Sequence, residues 1–145
     1  MILRRTILGK MLALDSIMRD IDNKSRRNGN NLSLLEFRTL QHINDHNGAS
    51  PTSLSKKFNV TPATITVQID GLIAKGHIVK TTDEEDKRSV NLSLSEKTNS
   101  NFEELSEKRL RLYDTVFKTL TKADQQMLIQ IIEKIERTGI EGSYE

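Results

Sequence analysis

Six side chains between Thr61 and Gln68 carry the most suggestive chemistry in this chain. Thr61, Ala63, Thr64, Thr66, Val67 and Gln68 follow one another within a single segment, opened by a threonine suited to a helix N-cap and by Pro62 at the first helical position. Such a helix tip presents hydroxyls, methyls and one carboxamide, and no charge. A carboxamide can pair bidentately with adenine, and methyl groups can touch the thymine methyl in a major groove. The set therefore suits an A·T-rich duplex. The hydroxyls also have a local use as caps, and Gln68 can instead close the edge of a core. Farther on, the run Asp83-Glu84-Glu85-Asp86-Lys87-Arg88 is wholly charged. Its Arg88 suits a narrow minor groove and its Lys87 a phosphate, although a pair with Asp86 or Asp70 would also shape that turn. Thr52, Ser53, Lys56 and Lys57 stand at the start and outer face of the preceding segment. Phosphate contacts from such positions set register and carry no sequence information.

These residues need elements to hold them. Ser50-Pro51 opens a short helix with Leu54 and Phe58 turned inward and the two lysines turned out. Asn59-Val60 makes a tight turn, and the helix from Thr61 carries an apolar stripe at Ile65, Ile69, Leu72 and Ile73, ending at Gly76. Two short helices joined in this way read as a helix-turn-helix. Ile78–Thr81 and Ser89–Leu94 read as two strands flanking the charged turn. Upstream, Ser33 and Glu36 form a capping box for a helix that Asn47-Gly48 stops, with Leu35, Phe37, Leu40 and Ile43 facing inward. Two long amphipathic segments flank this centre. Leu3, Ile7, Met11, Leu14, Met18 and Ile21 recur at helical spacing near the N-terminus. Beyond Ser95, one long helix is expected to about Thr119, marked by Phe102, Leu105, Leu112, Val116 and Leu120. A last helix begins at Thr121, carries Met127, Leu128, Ile131, Ile132 and Ile135, and is expected to end at Gly139.

Composition narrows the function. The 145 residues suit one ordinary domain or a small domain with dimerisation arms. Aromatic content is only 4%, so the aliphatic stripes are expected to find partners on another subunit. The net charge of +2 does not announce nucleic acid, but seven basic against three acidic residues in 1–31 and eight against ten in 92–145 lean positive charge toward the N-terminal part. The absence of cysteine excludes disulfides, thiolate metal sites and thiol redox sensing. No apolar run reaches spanning length and no cleavage-site pattern follows a clean apolar stretch, so a cytoplasmic protein without membrane association is expected.

Three further readings remain open on the residues. His42 and His46 stand at i and i+4, a spacing that can clasp a metal, although no third ligand is evident. A helix tip without basic side chains would also serve a protein-interaction module. An enzyme has little to stand on, because no phosphate-cradling loop, nucleophile elbow or dinucleotide turn occurs.

Taken together, the stretches Leu32–Leu40, Leu72–Val79 and Asp83–Lys97 resemble the MarR family of bacterial regulators, and the similarity extends over nearly the whole chain. The resemblance implies a mainly α fold with a small β-wing. Residues 1–31 would form a dimerisation helix and loop, 32–94 a winged helix-turn-helix that binds double-stranded DNA, and 95–145 C-terminal dimerisation helices. It implies a homodimeric regulator, with a repressor expected, that needs no cofactor and is tuned by a small-molecule effector. In one respect the chain departs from the family: the helix from Thr61 to Ala74 lacks basic side chains, where members often carry arginines.

Overall fold

The computed structural model describes residues 2–27, 32–82, 84–86 and 89–142. The elements run α1 (Ile2–Arg27), α2 (Leu34–His46), α3 (Pro51–Phe58), α4 (Pro62–Ala74), β1 (Ile78–Thr82), β2 (Val90–Leu94), α5 (Glu96–Leu110), a 3-10 turn (Arg111–Tyr113), α6 (Asp114–Phe117) and α7 (Lys122–Gly142). The chain forms two compact units, divided within α5 at Ser106 and Glu107.

The first unit holds the core. Leu40, Leu54, Leu72 and Leu92 are sealed from solvent, one each from α2, α3, α4 and β2. Ile43, Ile65, Ile69, Ile78 and Phe102 complete the cluster. Each such aliphatic side chain contributes roughly 1.5–3 kcal/mol by leaving water. The stripe expected on α4 is present at Ile65, Ile69 and Leu72, but Ile73 is exposed. Eight residues past Ile65, it lies about 80° around the helix and misses the core.

The helix ends follow their local chemistry. Ser33 and Glu36 close a reciprocal capping box on α2, and Asn47 ends that helix in the left-handed region at φ 53°. At the end of α4, the Gly76 N–H donates to Ile73 O and the His77 N–H to Leu72 O, both at 2.9 Å. This double bond pattern needs a left-handed residue, which Gly76 supplies at φ +78°. The strands pair antiparallel, from Ile78 opposite Leu94 to Thr82 opposite Val90. A third segment joins them: Ala49 N–H donates to Leu92 O at 3.0 Å, and Leu92 N–H donates to Ala49 O at 2.7 Å. Gly48 permits this approach, since a Cβ there would stand 2.9 Å from the Asn91 amide oxygen.

Two expectations for the C-terminal helices are corrected. The single helix through Thr119 is instead interrupted after Leu110 by the 3-10 turn and the short α6. Tyr113, Thr115, Val116 and Phe117 are aromatic or β-branched and hold a helix weakly, and Tyr113 is itself buried. Gly139 does not end α7, which continues to Gly142. One exposed glycine costs about 1 kcal/mol in a helix, too little to stop it. In the second unit, α7 keeps Met127, Ile131, Ile132 and Ile135 exposed. In the first unit, α1 buries only Ser25.

Candidate nucleic-acid interface

The tip of α4 is built by local hydrogen bonds. Thr64 N–H donates to Thr61 Oγ1 at 3.2 Å, and the two hydroxyls lie 2.9 Å apart. Thr66 Oγ1 donates to Pro62 O at 2.9 Å. These bonds satisfy the polar atoms within the helix. The surface left over is largely methyl, from Ala63, the threonines and Val67, which is 67% exposed. Such a face can read thymine methyls but has no formal charge for phosphate.

Gln68 sits differently from its neighbours. It is half-buried, and its Oε1 lies 3.5 Å from Ser33 Oγ on α2. In this position it closes the edge of the core, and pairing with adenine needs the carboxamide to swing outward.

The cations come from α3. Lys56 and Lys57 are exposed and pair with no carboxylate among the described residues. Thr52 is exposed nearby. Ser53, by contrast, has its hydroxyl committed: it accepts from Ser50 N–H at 3.1 Å and donates to Ser50 O at 2.8 Å. Asn59, left-handed at φ 51°, turns the chain, and Ser55 Oγ clips that turn by donating to Val60 O at 2.7 Å. Between α3 and α4 lies a groove of about 250 Å³, lined by Thr52, Ser55, Lys56, Pro62, Ile65 and Thr66 among others. Lys87 and Arg88, the expected phosphate and minor-groove contacts of the wing respectively, lie outside the described residues.

Two features were not apparent from sequence. The first fixes α4 in place. Lys75, at its C-terminal end, donates to both carboxylate oxygens of Glu36 at 3.0 and 2.9 Å. Burial pushes the Glu36 carboxyl up, but the Ser33 N–H and the Lys75 ammonium outweigh it and hold it below the ordinary carboxylate value. Thirty-nine residues separate the partners, so no local pattern announces the pair. The second is Arg38, whose guanidinium carbon stands 4.7 Å from the centre of the Phe58 ring. Its one sequence signal is a basic residue on the outer side of an amphipathic helix.

The two histidines that could clasp a metal stack on each other, ring centres 4.1 Å apart. His46 Nδ1 lies 2.9 Å from the His42 carbonyl, and no group of three or more potential ligands gathers among the described residues.

Residues 32–90, which span α2 to the start of β2, match the sequence profile of the MarR family. This part of the chain is similar to the MarR family. The transcriptional repressor YetL of Bacillus subtilis is 29% identical over 116 residues, covering 77% of this chain and 69% of YetL. A MarR protein from Peptoclostridium difficile superposes with a TM-score of 0.69 at 27% identity, covering 94% of this chain and 86% of that one. A MepR-like protein complexed with pseudoligands gives a TM-score of 0.66 at 25% identity, covering 91% and 92%. The chain is thus similar, in its winged helix-turn-helix region and in fold, to transcriptional regulators of the MarR family. No helix among its described residues is long and apolar enough to cross a membrane.

Proposed function

We propose that this regulator acts in the cytoplasm as a homodimeric repressor that a small molecule releases from double-stranded DNA. The observation that carries the DNA-facing half is the pairing of an uncharged, methyl-rich α4 tip with α3 lysines that have no carboxylate partner among the described residues. In this reading Lys56, Lys57 and Thr52 meet phosphates and fix register, and Ser53 joins them only by releasing its bond to Ser50 O. Thr61, Ala63, Thr64, Thr66, Val67 and Gln68 face base edges, Arg88 enters the adjacent minor groove and Lys87 meets a phosphate. The exposed aliphatic stripes of α1 and α7 support self-association through residues 1–31 and 95–145, since soluble chains rarely leave such surface in water. A two-fold dimer presents its recognition helices about 34 Å apart, one turn of duplex. The YetL name supports repression, and the liganded MepR-like structure supports effector control. A ligand that favours one spacing of those helices over another shifts binding by that difference in affinity.

The test is a titration of the protein against its own upstream DNA at several salt concentrations. Lys56→Ala or Lys57→Ala should weaken binding to every sequence and flatten the salt slope by about one unit each. An unchanged slope removes those lysines from the interface. Failure of the wild-type protein to bind any duplex at low salt overturns the DNA-facing reading as a whole.

A further inference from the structure

The outer face of α2 carries a second set of cationic and titratable groups that the reading above does not use. Arg38, His42 and His46 lie four residues apart and form one ridge along the helix. The ridge is stitched together by rings. Arg38 lies over Phe58, the His42 ring meets the same Phe58 edge-on at 6.2 Å, and His46 stacks on His42. Lys57 of α3 is close enough for its charge to act on His42.

Several cations of the chain are tied to carboxylates, and the ridge's are not among them in the described residues. Arg19, Lys24 and Arg26 on α1 and Arg111 each have a carboxylate one turn back, and Lys75 has Glu36. Arg38 and Lys57 have none among the described residues. A guanidinium stacked on a ring keeps its N–H edges available while losing rotamer freedom, which prepares it for a phosphate. Position favours the same partner. Phe58 is three residues before Thr61, the N-cap of α4, so its backbone lies at most about 11 Å from the recognition tip. That is about one major-groove width, the distance at which the flanking strand's phosphates stand.

We propose that Arg38 and His42 form a second phosphate-contact ridge beside Lys57, and that His42 takes up a proton when a duplex backbone engages it. The proposal rests on the DNA-binding reading. The groups facing His42 are Arg38, His46 and Asp45 on its own helix and Lys57 on α3. Burial lowers the His42 pKa first, the His46 and Lys57 charges lower it further, and Asp45 partly offsets them. In the free protein these surroundings favour the neutral ring. A phosphate oxygen favours the charged ring, so binding and protonation support each other, and affinity rises as pH falls. Asp45 sits toward the His46 end and disfavours phosphate there, which concentrates contact at the Arg38 end.

A labelled random-sequence duplex is the probe, because non-specific binding depends on backbone contacts alone. Its affinity for the full-length protein is measured against salt, and between about pH 8 and about pH 6, where histidine titrates. Arg38→Gln should weaken binding several-fold and flatten the salt slope by about one unit, with a fall in melting temperature of only a few degrees from the lost ring contact. Arg38→Lys should recover most of the slope. His42→Gln should bind with much less dependence on pH than the wild type. A wild-type salt slope in Arg38→Gln, or an unaltered pH profile in His42→Gln, overturns the ridge while leaving the Lys56 and Lys57 contacts standing. Absence of wild-type binding at low salt would overturn both readings.

Discussion

Helices α4 and α7 share a periodicity and differ completely in what they do with it. Both place aliphatic residues at intervals of three and four. On α4, Ile65, Ile69 and Leu72 are at most 5% exposed, whereas on α7 Met127, Ile129, Ile131, Ile132 and Ile135 remain 45–63% exposed. An amphipathic stripe encodes a demand for a partner, not the partner itself. The winged core meets the demand of α4 from within the first unit. The stripe of α7 is left to a second copy of the chain in the proposed dimer.

The contrast can be broken most severely at Leu72. Leu72→Ala should cost about 3 kcal/mol, because the sealed site cannot fully collapse around the missing atoms, and chemical denaturation will register it. Truncating an exposed α7 residue should not. Ile132→Asp should leave the melting of the winged core unchanged while lowering the apparent mass in sedimentation, and an unchanged mass would argue against α7 as a dimer surface.

Glu36→Ala comes next. It removes both the capping box and the tie to Lys75, and should destabilise by about 2 kcal/mol, below the full cost of breaking a buried pair because Lys75 is partly in water. The pH dependence has a definite sign. The folded-state pKa of Glu36 is lowered, so its contribution is present above the unfolded carboxylate pKa and lost as pH falls through the folded value. Denaturant melts of wild type and Glu36→Gln should therefore converge on acidification.

Thr61→Ala should cost about 1 kcal/mol through the lost cap. Smallest in stability is Val67→Ala, under about 0.5 kcal/mol for an exposed site. Its effect should appear in sequence preference, as reduced discrimination for thymine in a binding-site selection.

Much of this arrangement could be read along the chain because its causes are local. Ser33, Ser50, Thr61 and Ser95 mark helix starts by the bonds they accept one turn on, and Asn47, Asn59 and Gly76 mark turns by backbone conformations open to few residues. The exposure of the threonines, Val67, Lys56 and Lys57 followed from the same phases. What escaped depended on distant partners. The Glu36–Lys75 tie and the seat of Arg38 on Phe58 join residues from different helices. The inward lean of Gln68 depends on Ser33, and was one of two placements its spacing allowed. The break after Leu110 was missed because a continuous apolar rhythm conceals a run of poor helix formers.

The paired amides and carbonyls of Ala49 and Leu92 have a mechanical consequence. They bolt the linker between α2 and α3 to the root of the second wing strand. Sliding that strand past the linker would break two bonds at once. The helix pair and the base of the wing therefore travel as one stamp, and in the proposed DNA-bound dimer each half-site would meet a single rigid die whose parts cannot be re-spaced independently.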